Sequence, residues 1–519
     1  MAKAAETLTT HVVTATRTAA CAAVLCCALG VDPSRAGENI SGFTYLDNPT
    51  TETTAETFGP TSSNCLSIAN VAPVLLPYVN NGPVFGLPGT IVGDISERTQ
   101  LTGDWGGQRT ALAEKGVFMD VYTTFAYQSI TSGGLDEVDA SINNVQISIN
   151  VDTGRAGLWR GGVLHFTAQG RTGSSFDDQF AVGSSIPQYL DLLLPGAKLD
   201  NDIYPSDFYL LQSITPKTGV IVGVINGLYL PDQTLFGDAH RYAFTNFSFN
   251  KNPLFANFFG PTAVAALGAY APSESLVFTG GVLDPYTVAN DYSDTFDAVN
   301  LYGQATFTYS AGGRPGQVTG AVNWTNQEKL NLDDPFEPFT PLQIAELLTT
   351  TDLSISDLDL SLNNIDSSYF AIGNFSQYLL VKDDPTSIKE KLKSGQQLRG
   401  LGLFGRFGYA PEKSNVLAAH ASLALYGRGL SNQRPIDSFG AGVYYNRISR
   451  GLTDGLSDLT LGAIDVDDEV GIEAFYDFAL TPAVRLIASY QWIQNPLLAQ
   501  VVSNEDHANV FFARISVAW

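Results

Sequence analysis

The feature that most constrains the fold of this chain is an alternation of apolar and polar residues, with a period of two, that dominates from Val117 onward. Between Asn144 and Asp152, valine or isoleucine occupies every second position, and polar residues occupy the others. Successive side chains of a β-strand point to opposite faces, so this alternation predicts strands with one apolar and one polar face. The same pattern recurs at Val163 to Arg171, Leu301 to Tyr309 and Val318 to Thr325.

The number and length of these segments indicate a membrane barrel. We count about sixteen segments of roughly ten residues, which is the length that a tilted strand needs to cross a bilayer. Soluble antiparallel sheets also alternate, but long and short connections alternate here as well, except at Lys382 to Leu398 and at Ala410 to Asn415. The predicted strands begin near Val117, Asn143, Gly162, Ile203, Gly219, Thr262, Leu276, Val299, Gln317, Tyr369, Arg399, Val416, Ser438, Glu469, Ala483 and Asn509. The predicted fold class is therefore all-β, a transmembrane antiparallel barrel.

Composition argues against a protein with membrane-spanning helices and against a nucleic-acid-binding protein. Charged residues make up 15% of the chain, there are 49 glycines, and the mean hydropathy is +0.04. Beyond the N-terminal region, no apolar run approaches the roughly 20 residues that a membrane-spanning helix needs. The formal net charge of −24 repels phosphate backbones, so we expect no nucleic-acid partner.

The N-terminus has the pattern of an export signal. Basic residues precede the apolar segment Ala19 to Val31, and Ser34-Arg35-Ala36 is a small-x-small cleavage site. We therefore predict a signal peptide at residues 1–36, cleaved near Ala36. Three of the four cysteines lie in it, so the mature chain would retain only Cys65 and no internal disulfide.

Three further regions follow the predicted signal peptide. Residues 37–100 are rich in Thr, Ser and Pro and are predicted to form a periplasmic or luminal segment of unknown role. Residues 101–116 (LTGDWGGQRTALAEKG) predict a short helix over Arg109 to Lys115, with Gly116 at its C-cap. Residues 117–519 form the predicted barrel. Its last strand ends on Trp519, the aromatic terminus that barrel-assembly machinery reads, which makes that machinery an expected partner.

Five motifs follow one another along the chain: Leu101 to Gly116, Asn252 to Pro272, Gly400 to Pro411, Arg434 to Val443 and Glu473 to Pro496. In this combination and order they resemble the carbohydrate-selective outer-membrane porin (OprB-like) family. The resemblance covers almost all of residues 101–519. It implies a barrel of sixteen strands in the outer membrane, passive diffusion that favours sugars, contact with outer-membrane lipids and lipopolysaccharide, and no cofactor. Monomer and homo-oligomer both remain open.

The alternation also assigns side chains to the lumen. A pore favours sugars by replacing water with charged and amide side chains and by packing aromatic rings on sugar CH faces. Binding must stay weak, because conduction requires release. Alternatively, the charges only neutralise one another and keep the lumen wet. The predicted lumen residues are Asp120, Tyr122, Gln169, Arg171, Arg406, Glu473, Asp477, Arg485, Gln491 and Arg514.

Two other features lead to structural hypotheses. The pairs Phe125 and Tyr127, Tyr476 and Phe478, and Tyr490 and Trp492 fit an interfacial aromatic girdle better than a sugar-stacking track. The longest connection, Asn326 to Ser368, contains a predicted short helix at Leu342 to Leu348. This connection either folds inward and narrows the pore or is an ordinary surface loop.

No enzyme motif is present. The chain has no G-x-S-x-G or H-E-x-x-H sequence, and the histidines beyond the signal peptide are isolated, so we expect a protein that is not an enzyme and binds no metal. Three alternatives stay open: a general or cation-preferring porin, an envelope anchor or adhesin that works through residues 37–100, and a barrel hydrolase.

Overall fold

The computed structural model describes residues 84, 85, 87, 89–175, 178, 180–185, 203–226, 233–236, 242–260, 262–286, 292, 294–334, 363–459 and 465–519. The predicted signal peptide, Cys65 and the predicted helix at Leu342 to Leu348 lie outside these residues.

Sixteen antiparallel strands close into one barrel, which confirms the predicted fold and strand number. Each strand pairs with its neighbours along the barrel, and β1 pairs with β18 to close it. Two short strands, β10 (Lys329–Leu330) and β11 (Asn364–Ile365), form a separate pair. The barrel strands are β1 (Val117–Gly133), β2 (Asp139–Asp152), β3 (Gly162–Gly173), β4 (Ile203–Thr215), β5 (Thr218–Asn226), β6 (Thr262–Ser273), β7 (Leu276–Leu283), β8 (Asn300–Ala311), β9 (Arg314–Thr325), β12 (Ser368–Val381), β13 (Gly400–Tyr409), β14 (Leu417–Arg428), β15 (Ser438–Ile448), β16 (Glu469–Thr481), β17 (Val484–Gln494) and β18 (His507–Ala518).

The two ends of the barrel differ. At the turn end, where β1 begins and β18 stops, four connections are tight turns; the opposite, loop end carries most of the long connections. The long connection from Lys382 to Leu398 lies at the turn end and contains the helix Ile388–Lys393. The short connection before β14 lies at the loop end and contains the 3-10 helix Glu412–Ser414. Both predicted exceptions to the alternation of connections are therefore real features of the barrel.

The barrel is apolar outside and polar inside. On β2, Val145 and Ile147 are 42% and 39% exposed, whereas Gln146 and Ser148 are each 1% exposed. A soluble sheet buries its apolar face, so this reversed distribution requires an apolar solvent around the barrel. All six side chains of the predicted aromatic girdle lie on this outer face of their strands.

The remaining helices are short. Among the described residues, no helix has the length and apolarity that crossing a membrane requires. The helices are the 3-10 helix Trp105–Gly107, the predicted N-terminal helix at Gln108–Glu114, and, in the connections, Phe247–Asn250, the 3-10 helix Pro253–Asn257, Arg450–Leu459 and Leu497–Val502.

The N-terminal motif lies at the turn end, against the contact between β1 and β18. The Asp104 carboxylate accepts hydrogen bonds from the Thr110 backbone N–H at 2.8 Å and from its hydroxyl at 2.9 Å. The Arg109 guanidinium lies 4.3 Å from the Trp105 ring centroid and donates to the Trp519 carbonyl at 2.9 Å. The motif therefore connects the start of the barrel to its last residue.

Candidate functional site

The structure places all ten predicted lumen residues on the inner face of their strands. Tyr122 is partly buried and the other nine are buried, none more than 8% exposed. Asp120 and Tyr122 are on β1, Gln169 and Arg171 on β3, Arg406 on β13, Glu473 and Asp477 on β16, Arg485 and Gln491 on β17, and Arg514 on β18. They do not form one ring, and the structure separates them into groups with different contacts.

One group lies near the turn end. Asp477 and Arg485 form a buried ion pair, with 3.1 Å between Arg485 Nε and Asp477 Oδ1, and the Ser438 hydroxyl donates to Asp477 at 2.9 Å. Asp120 accepts a hydrogen bond of 3.1 Å from Gln100 Nε2. This ion pair is internal to the wall, so its two charges compensate each other there.

A second group holds a connection inside the barrel. Glu473 accepts hydrogen bonds from Thr245 N and Oγ1 and from Asn246 N, each at 2.8 Å, and from Ser489 Oγ at 2.7 Å. Gln491 exchanges hydrogen bonds with the same two loop residues, 2.8 Å to Thr245 Oγ1 and 3.1 Å from Asn246 Nδ2. These wall residues therefore bind protein backbone and side chains.

The connection that they hold is the inner segment, residues 242–259 between β5 and β6. Arg406 Nη2 donates to the Asn250 carbonyl at 3.0 Å, on the same side of the barrel as Glu473. Aromatic side chains of the segment pack edge-on against inward rings of the wall, with 4.7 Å between the ring centroids of Phe244 and Phe475 and 5.8 Å between those of Phe249 and Tyr444. The inner segment thus occupies part of the lumen beside β13 to β17.

Local sequence explains the shape of the inner segment. Asn246 caps the turn of helix Phe247–Asn250, accepting from Ser248 N at 2.9 Å, and Asn252 caps the 3-10 helix Pro253–Asn257, which has proline at its first turn. From the sequence, this stretch is a long connection before the predicted strand at Thr262, and its second half belongs to the motif Asn252 to Pro272. The sequence feature that indicates burial of this stretch is its six phenylalanines between positions 244 and 259, which are too many apolar rings for a solvated loop.

Next to strands β13 to β17, around the place where β1 pairs with β18, lies the polar wall, formed by Gln128, Asn144, Gln169, Arg171 and Arg514 on β18, β1, β2 and β3. Asn144 Nδ2 donates to Gln169 Oε1 at 3.2 Å. Within the described part of the chain, Gln128 Nε2, Asn144 Oδ1 and Gln169 Nε2 have no hydrogen-bond partner. Buried polar atoms are usually paired, so this wall carries hydrogen-bonding capacity that the protein itself does not use.

Two further polar groups lie near the lumen. His165 is fully engaged, since its ring nitrogens contact Asn150 Oδ1 at 2.7 Å and Asp207 Oδ1 at 2.6 Å and its ring stacks on Tyr209. At the loop end, burial lowers the pKa of Lys329 to about 8. The histidine has a structural environment, and the lysine keeps most of its positive charge at neutral pH.

A closed barrel with an apolar exterior, a polar interior and a connection folded into its lumen has the architecture of a membrane porin. The family model described as "Carbohydrate-selective porin, OprB family" matches residues 137–511. The chain belongs to this family of carbohydrate-selective porins.

The fold is similar to that of a solved structure. The high-pH structure of Pseudomonas putida OprB has a TM-score of 0.65 at 15% identity, covering 82% of this chain and 99% of that one. The low-pH structure of the same protein has a TM-score of 0.46 at 14% identity, with the same coverage. A triple mutant of the Rhodopseudomonas blastica porin has a TM-score of 0.37 at 10% identity, covering 78% and 100%. At 15% identity, the likeness to the high-pH structure concerns the fold alone. No curated protein matches the chain.

Family and fold together define the function as an outer-membrane porin through which sugars diffuse. They indicate a channel.

Proposed function

We propose that sugars cross the barrel between the inner segment and the polar wall. The observation that carries this proposal is the polar inner face of β18, β1, β2 and β3, on which Gln128, Asn144 and Gln169 have atoms with no partner among the described residues of the protein. A sugar hydroxyl both donates and accepts, so it can replace water at an amide nitrogen or oxygen with little net change in free energy. Such exchange gives weak binding, which passage requires.

The predicted lumen residues then have two roles. Glu473, Gln491 and Arg406 position the inner segment, since their contacts are with residues 245–250. Gln169, Arg171 and Arg514 face the proposed path as part of the polar wall, and Asp120, Tyr122, Asp477 and Arg485 lie nearer the turn end. Positive and negative groups on different sides of the lumen would orient polar solutes.

The test replaces the paired amides by apolar side chains of similar size. In the double variant Asn144→Leu with Gln169→Met, we expect liposome swelling with mono- and disaccharides to slow by about tenfold, the effect of losing roughly 1.4 kcal/mol of hydrogen bonding. Potassium chloride conductance should fall much less, because the width of the lumen is retained.

The matched control is Asn143→Leu, the same change at the neighbouring position on the outer face of β2. Its swelling rates should equal those of the unaltered protein. Equal sugar rates in the double variant and the control would contradict the proposed path.

We also propose the finer details of export and assembly. Removal of residues 1–36 near Ala36 would deliver the chain to the assembly machinery, which would read β18 and Trp519. The outer aromatic residues would then contact lipid and lipopolysaccharide. The turn end would face the periplasm, as short turns do in bacterial barrels. A homo-oligomer is compatible with this arrangement, and cross-linking in the membrane would test it.

A further inference from the structure

One residue of the N-terminal segment lies inside the barrel. Phe85 is 4% exposed, and its ring meets Tyr122 of β1 edge-on at 6.5 Å and Tyr242 of the inner segment at 5.7 Å. The Arg485 guanidinium lies 6.0 Å from the Phe85 ring centroid. Phe85 precedes the family match at residues 137–511, so its position belongs to the part of the chain that the family does not explain.

The backbone at Phe85 is anchored to the wall. Arg428, the last residue of β14, donates from Nη1 to the Phe85 carbonyl at 3.2 Å and to Gln397 Oε1 at 2.7 Å. Arg428 is 2% exposed and lies at the turn end of the lumen. A buried guanidinium bond to a backbone carbonyl fixes where the ring can lie.

Residues 90–101, between the Phe85 position and the start of the barrel, are also tied down by hydrogen bonds. Thr90 N donates to Thr99 Oγ1 at 2.6 Å, and Thr99 N donates to the Thr90 carbonyl at 3.1 Å. Leu101 N then donates to the Ala518 carbonyl at 2.8 Å. Residues 90–101 are therefore held to one another and to the seam between β1 and β18 at several points.

The backbone of Phe85 has a left-handed conformation that is unusual for a bulky residue. Leu87 N donates to the Val84 carbonyl at 2.8 Å, which closes a tight turn, here called the Phe85 turn, and Phe85 has φ +48° within it. Positive φ is rare for a bulky residue, and such strain persists only where surrounding structure imposes it, often at a functional position.

From these contacts we infer that the Phe85 turn is a strap that narrows the turn end of the lumen and limits the size of sugar that can leave the pore. The inference rests on the lumen being the route of sugar diffusion. The ring fills space between β1, β17 and the inner segment, and the Arg428 bond keeps it there. The buried ring occupies space beside the ion pair of Asp477 and Arg485 that solute could otherwise enter.

The experiment compares Phe85→Ala and Phe85→Leu with the unaltered protein in planar bilayers and in liposome swelling. Pore width governs passage, so we expect single-channel conductance to rise by at least about 1.5-fold for alanine and by less for leucine. Swelling rates should rise more for a trisaccharide than for a monosaccharide. The leucine variant retains apolar packing, so it remains informative if the alanine variant does not fold.

The matched control is Phe296→Ala. Phe296 also has a left-handed backbone, φ +65°, but it is 38% exposed in the connection between β7 and β8. Its loss should leave conductance and size dependence unchanged. If the unaltered protein passes sugars and both folded Phe85 variants behave identically to it, the strap is refuted and the porin function stands. If the unaltered protein passes no sugar, the function itself fails, and the inference with it.

Discussion

At the scale of single residues, the inner face of the barrel contains two kinds of polar group. Glu473 accepts four hydrogen bonds from Thr245, Asn246 and Ser489, so it holds the inner segment against β16 and β17. Asn144 and Gln169 bond each other and still present unpaired atoms. Residue type alone does not separate these roles, because both kinds occupy equivalent inward positions of alternating strands.

The Glu473→Gln variant tests the holding role. One amide nitrogen would replace a carboxylate oxygen and face donors, which leaves a buried N–H unpaired at a cost of about 1–3 kcal/mol. We expect the inner segment to loosen, with higher and noisier single-channel conductance and weaker discrimination between sugars.

Glu469→Gln is the control for this variant. Glu469 lies on the same face of β16 and is also buried, but it binds Ser185 and Tyr444 nearer the loop end. Steady conductance in Glu473→Gln, equal to that of the control, would show that the carboxylate is not needed to hold the segment.

At the scale of elements, the contact between β1 and β18 depends on the N-terminal motif. Arg109 donates to the carbonyls of Gly103, Met119 and Trp519, so one guanidinium joins the motif, the first strand and the last residue. Trp519 N also donates to the Val121 carbonyl at 2.9 Å. The barrel seam brings together residues more than 390 positions apart, and contacts of this kind are costly in loop-closure entropy.

We therefore expect Arg109→Ala to lower the unfolding temperature of the barrel by several degrees, because charged hydrogen bonds at the seam are lost. The shift in electrophoretic mobility on heating in detergent measures this temperature. Conductance of the folded protein should remain near normal, since Arg109 donates to backbone oxygens of Gly103, Met119 and Trp519 and not to the inner segment.

Arg155→Ala is the matched change for the seam. Arg155 lies in the turn after β2, beside Asp152, and makes no contact with β18 among the described residues. The unfolding temperature of the Arg155→Ala variant should differ little from that of the unaltered protein. An Arg109 variant as stable as this control would rule out a role for the motif in closing the barrel.

At the scale of the whole molecule, the chain must reach the outer membrane, insert into it and close into a barrel. The net charge of −24 is accommodated because many acidic residues lie in connections, away from the apolar outer face. The outer face leaves the folded barrel dependent on lipid or detergent.

The predicted processing leads to an expectation for the intact protein. Extraction from outer membranes should require detergent, and sequencing of the extracted protein should begin at Gly37 if residues 1–36 are removed. A mature protein that still carries residues 19–31 would contradict the predicted cleavage.

The sequence by itself determined the barrel, because a period of two places every second side chain on one face whatever the tertiary context. Alternation around Gln146 and Glu473 was enough to assign inward positions, and the resemblance of the motifs supplied the family. The helix after Trp105 could also be predicted, since its C-cap glycine acts locally.

Only the tertiary structure decided how the lumen is filled. The inner segment enters the barrel because its phenylalanines find inward rings on strands up to about 230 residues away in sequence. Phe85 reaches Arg428 across an even longer separation. Contacts between such distant positions depend on where closure of the barrel brings the strands, and no local pattern records that arrangement.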